Sequence, residues 1–176
     1  MRRLILIISL VFFTVLTLGC NGITLDQSLS ISLNPGVDTI EVYDNFTDAG
    51  AVAFYNNEDV AVTVVENTLN TLVPGAYYIK YQAEFNEKVV QIYRVVIVVD
   101  STKPVLTLKE GVDTIKLGEE WIDGGIDSVD NYSEELLIEI DGEVDTNTVG
   151  TYTITYIVTD EAGNEARIIR IVDVVE

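Results

Sequence analysis

The chain has 176 residues with 29 acidic against 10 basic, a net charge of −19, no histidine and a single cysteine. Such a surface repels phosphate backbones, which argues against nucleic acid as a partner. The lack of histidine removes the usual Ser-His-Asp and Cys-His nucleophile systems and an ordinary zinc site, and one cysteine rules out an internal disulfide.

The first element is MRRLILIISLVFFTVLTLGC. Two arginines precede an apolar run over residues 4–18, which is 15 residues long. A membrane-spanning helix usually needs about 20. A basic start, a short apolar core and a small residue at its end predict a secretory signal peptide over 1–19. Its end, LTLGC, resembles the lipobox of bacterial lipoproteins, with Gly19 and Cys20 matching directly and Thr17 and Leu18 permitted but less common there. In that family the cysteine is acylated and the leader is cut before it. The resemblance implies lipidation of Cys20, membrane attachment through it, and a place on the extracytoplasmic face of the cell membrane. Residues 20–27 then form a tether spanning at most ~28 Å.

Beyond the tether the chain repeats itself. GVDTI stands at 36–40 and again at 111–115, an offset of 75. At that offset Asp48, Gly50 and Asn56 pair with Asp123, Gly125 and Asn131, and PGAYYIKY (74–81) pairs with VGTYTITY (149–156). The register then slips by one, so that YRVVIVV (93–99) fits IRIVDVV (169–175), with Arg94 on Arg170. A loop absorbs such a slip. The pattern predicts two copies of one domain, at 28–99 and 100–176.

Each copy reads as strands. In TYTITYIV (151–158), Tyr152, Ile154, Tyr156 and Val158 alternate with threonines, the period of a strand with one buried face. In the DTIEV and DTIKL stretches, Ile40/Val42 and Ile115/Leu117 fall on one side. Turn signals NPG (34–36), DGG (123–125), DGE (141–143) and EAGN (161–164) separate the runs. Many short strands with regular turns predict an all-β chain of two tandem immunoglobulin-like sandwiches. The G-x-Y-x-I stretches place Tyr77 and Tyr152 as corner tyrosines and Ile79 and Ile154 in the core.

From DSTKP (100–104) through GVDTIKLGEEWIDGG, VDNYSEE, VGTYTITY and TDEAGNEA, the second copy resembles the bacterial Ig-like domain that occurs in tandem in pesticidal crystal proteins and many surface proteins. Residues 28–99 resemble it more loosely. The resemblance implies a non-catalytic spacer, adhesion or accessory module, with an extracellular protein or glycan as its partner.

Two candidate sites follow. In a seven-stranded sandwich the TDEAGN loop returns to the end where the chain entered. That brings Asp160 toward Asp100 in the linker, with the VDN turn at Asp130 and Asn131 joining them. Oxygen ligands from three segments suit a hard cation, and calcium is the one cofactor these residues suggest. Asp, Gly and Asn are also what any tight turn selects, so a plain turn explains the same letters. The first copy carries EFNEKV in place of TDEAGN. The second candidate is a binding patch of exposed aromatics, Tyr55, Tyr78 and Phe85, suited to a sugar or protein. Close carboxylate pairs arise by chance in so acidic a chain, and with no cleft former in view a carboxylate-based hydrolase is the remote alternative. A calcium-stiffened structural rod is the nearer one.

Overall fold

The computed structural model describes residues 28–176, and every regular element within them is a β-strand. The leader, Cys20 and the tether to residue 27 lie outside the described residues. In chain order the strands are β1 (Leu29–Leu33), β2 (Thr39–Glu41), β3 (Ala51–Tyr55), β4 (Glu58–Val60), β5 (Val62–Asn67), β6 (Gly75–Phe85) and β7 (Lys88–Val99). After a linker come β8 (Val105–Leu108), β9 (Thr114–Lys116), β10 (Ile126–Val129), β11 (Leu137–Asp141), β12 (Gly150–Thr159) and β13 (Glu165–Val175).

The first seven strands make two sheets, ordered β1-β3-β4 and β2-β7-β6-β5; the next six make β8-β10 and β9-β13-β12-β11. In both copies the short strand carrying the repeated Asp-Thr-Ile runs parallel to the last strand, Ile40 opposite Val98 and Ile115 opposite Val174. All other pairings are antiparallel. The described residues are therefore all-β, two tandem immunoglobulin-like sandwiches, the second with six strands rather than seven.

Strand alternation builds the cores. Ile79, Tyr81 and Ala83 of β6 and Ile154, Tyr156 and Val158 of β12 are buried, as are Val96 and Val98 of the neighbouring β7 and Val172 and Val174 of the neighbouring β13. Burial at ~25 cal/mol per Å² of apolar surface makes this stripe the main source of stability. Leu117 departs from expectation: β9 ends at Lys116, the chain turns at Gly118 (φ 83°), and Leu117 is left half exposed. Both corner tyrosines form. The Tyr77 hydroxyl donates to the Val73 carbonyl at 2.8 Å, and the Tyr152 hydroxyl to the Thr148 carbonyl at 2.8 Å.

The repeated letters meet in space around a buried arginine. Arg94, 1% exposed, donates from Nη1 to Asp38 at 2.5 Å and from Nη2 to the carbonyls of Asn34 (2.6 Å) and Gly50 (3.1 Å). Arg170 does the same with Asp113 (2.6 Å), Lys109 (2.6 Å) and Gly125 (3.3 Å). The buried phenols of Tyr81 and Tyr156 donate to Asp48 and Asp123, which lie 3.5 and 3.7 Å from the two Nε atoms. Glycine opens each GVDTI because a Cβ there would lie 3.0 Å from Arg94 Nη1 at Gly36, and 2.7 Å from Arg170 Nη1 at Gly111. A buried guanidinium needs several acceptors; the pentapeptide supplies the aspartate, and the residues before it and the loop ending at Gly50 or Gly125 supply the carbonyls.

The one-residue slip is also local. In the first sandwich Asn86 and Glu87, at φ 48° and 64°, close the β6–β7 hairpin as a two-residue turn. The second uses the longer loop 160–164, with Gly163 at φ 90°.

Candidate metal centre at the domain junction

The linker 100–104 joins the two sandwiches, and each side grips it. From the first sandwich, Glu41 at the end of β2 accepts from Ser101 N (2.8 Å), Thr102 N (3.1 Å) and Thr102 Oγ1 (2.9 Å) on one oxygen, and from Ser101 Oγ (2.6 Å) on the other. These bonds, those from Ser101 foremost, hold the Glu41 carboxyl below its ordinary value. From the second sandwich, Asn164 Nδ2 donates to the Asp100 carbonyl at 3.2 Å. The rings of Tyr43 and Tyr132 meet across the junction with centroids 6.0 Å apart.

At this junction Asp100, Asp130 and Asp160 converge, each offering a carboxylate oxygen, all within 4.8 Å of one another. Asp100 is 9% exposed and Asp160 6%. Each is held by its own turn. Asp160 Oδ1 accepts from Asn164 N at 2.7 Å and Oδ2 from Asn164 Nδ2 at 2.8 Å. Asp130 Oδ1 accepts from Tyr132 N and Ser133 N, both at 2.9 Å. The buried Ser133 hydroxyl accepts from Glu161 N at 3.3 Å, tying the two turns together. Asp100 Oδ1 takes Thr102 N at 3.3 Å, while Asp100 Oδ2 and Asp130 Oδ2 are buried with no hydrogen-bond partner. Burial, then the charges of Asp130, Asp160 and Glu41, pushes the Asp100 carboxyl above its ordinary range. A cleft of about 190 Å³ opens beside it, lined by Pro74, Tyr132, Glu161 and Ala162. The carboxylates present hard oxygen donors with no nitrogen or sulfur among them, the donor type that alkaline-earth cations prefer.

Three of the four candidate metal residues are thus brought together. Asn131 is exposed beside Asp130 and accepts and donates in none of the bonds that build the junction. Glu41, Ser133 and Asn164 escaped sequence reasoning. Glu41 left one signal, because the second copy has Lys116 at the same position of the repeat.

The aromatic candidates do not form one patch. Phe85 continues the parity of Ile79, Tyr81 and Ala83 to the end of β6, where it is 37% exposed and packs at a tilt on Tyr55 with centroids 4.7 Å apart, at one end of the first sandwich. Tyr78 points from the other face of the same strand. There it meets Tyr93 of β7 at 5.6 Å, donates to Glu66, and Lys80 lies 5.4 Å over the Tyr93 ring.

Paired sheets with the parallel terminal edge and the tyrosine corner define an immunoglobulin-like sandwich. Residues 107–174, within the second sandwich, match the family described as bacterial surface protein, Ig-like domain. Among curated proteins none matches the chain. A crystal structure of a lipoprotein from Bacteroides thetaiotaomicron is similar over 82% of this chain and 100% of that one, at 16% identity and a TM-score of 0.36, too distant to bear on fold or role.

Proposed function

We propose that the protein is a non-catalytic, lipid-anchored module on the extracytoplasmic face of a bacterial membrane, which docks a protein partner on the outer face of the β2-β7-β6-β5 sheet. The observation that carries this reading is the Tyr78–Tyr93 pair, set among Val89 and Val95, which are 50 and 53% exposed. Tyrosines among exposed valines, rimmed by Lys80, Gln82, Gln91 and Glu66, have the make-up of an interface centre. The corresponding face of the second sandwich carries Thr153, Thr155, Ile169 and Ile171 and has no aromatic pair.

Crosslinking in intact cells tests it, with the wild type beside Tyr78→Ser/Tyr93→Ser and a Thr153→Ser control. The tyrosine variant should lose a specific protein adduct that the control keeps. An unchanged adduct pattern, or an adduct to glycan alone, would sink the docking face. Anchoring is read separately: the peptide bearing Cys20 should carry acyl mass, and a free thiol there would end that part of the reading.

A second reading, the spacer, is favoured by one feature. The four hydrogen bonds that Glu41 accepts fix the linker to the first sandwich, as a stiff rod requires.

A further inference from the structure

We infer that Asp100, Asp130 and Asp160 bind one calcium ion, which locks the linker onto the second sandwich. Three carboxylate oxygens within 4.8 Å of one another are close enough to share one cation. Calcium accepts irregular sets of oxygen ligands, whereas magnesium demands near-ideal octahedral geometry, so donors fixed by three separate turns suit calcium better.

Acidic residues gather at turns for local reasons, and Asp130 and Asp160 each have such a reason in the bonds they accept. Asp100 Oδ2 does not. Its residue is nine-tenths buried, the oxygen has no partner, and a buried, unpaired carboxylate oxygen costs free energy that a cation would recover. Asp130 Oδ2 is a second such atom.

The first sandwich supplies the internal control. At the repeat offset of 75, Asp130 and Asp160 correspond to Tyr55 and Phe85. Those two rings pack against each other at a tilt, centroids 4.7 Å apart, at the same end of the same fold. The fold therefore accepts aromatic residues at both positions, and the carboxylates stand at the end of the second sandwich that meets the first. With Glu41 holding the linker from one side and a calcium ion from the other, the junction becomes a fixed angle instead of a hinge. This inference stands apart from the docking face, and either can fail alone.

The test uses the full chain in detergent at 0.15 M salt, stripped with EDTA and titrated with calcium chloride by calorimetry and thermal melting. Wild type should take up one calcium per chain, gain at least about 5 °C in Tm at saturation, and respond far less to magnesium. Asp100→Asn keeps the shape and removes the charge. Its metal-free Tm should equal or exceed that of wild type, while its calcium affinity falls at least about tenfold. A wild type without a saturable calcium response, or an Asp100→Asn chain that responds like wild type, overturns the inference. If the variant does not fold, terbium replaces it as the probe on wild type. Emission excited through Tyr132, which lines the cleft beside Asp100, should appear and be reversed by calcium. No such emission overturns the inference equally.

Discussion

At the scale of single residues, the chain solves one problem twice: how to keep an arginine and a tyrosine in the middle of a small β core. Arg94 and Arg170 are fully buried, and each is matched by aspartates and carbonyls contributed by the loops around it. The phenols of Tyr81 and Tyr156 complete the arrangement, and burial, followed by the hydrogen bond to Asp48 or Asp123, raises their pKa above 10.0. A raised phenol pKa adds stability that is complete below the unfolded value, near 10, and is lost as pH rises through the folded value. The neighbouring groups that would face a phenolate are Asp48 with Arg94, and Asp123 with Arg170. Melting temperature should therefore fall steeply above about pH 10, and Tyr81→Phe/Tyr156→Phe should flatten that fall. Parallel curves for the two proteins would show that these phenols do not govern it.

Among elements, β6 and β12 are the most informative strands. Their alternation, their corner tyrosines and the isoleucines two residues on were legible because a strand with one wet face must alternate and a corner tyrosine precedes its core residue by a fixed step. Removing the Tyr152 hydroxyl with Phe should cost about 1 kcal/mol, since the Thr148 carbonyl loses its donor while the ring stays packed. A urea midpoint unchanged from wild type would mean water replaces the hydroxyl. What was not legible lies between sheets. The contact of Phe85 with Tyr55 depends on how β3 stacks across β6, and no period within either strand encodes that distance. The meeting of Asp100, Asp130 and Asp160 was legible for a topological reason: the linker and the β12–β13 loop must share one end of the sandwich. The partners Asn164, whose side-chain amide donates to Asp160, and Ser133, whose hydroxyl accepts from Glu161 N and whose backbone N–H donates to Asp130, follow from loop geometry alone. Likewise the Arg94 and Arg170 networks were visible as co-repeated letters, but nothing in the spacing said that they touch.

For the whole molecule the question is whether two sandwiches move as one, and Glu41 separates that from the stability of either. Its bonds reach only Ser101 and Thr102, outside both cores. Replacing it with alanine should leave the melting of each sandwich nearly unchanged, since surface charges contribute little to global stability. It should instead release the linker, so that the angle between sandwiches is no longer fixed. The measurement is a spin-label distance distribution between Glu58→Cys in the first sandwich and Asn147→Cys in the second, both exposed positions. Glu41→Ala should broaden the distribution in EDTA. Added calcium should narrow it only in part, because the ion grips the linker from the second sandwich while the first has lost its hold. A distribution as narrow as wild type in EDTA would assign the junction to the Tyr43–Tyr132 contact instead.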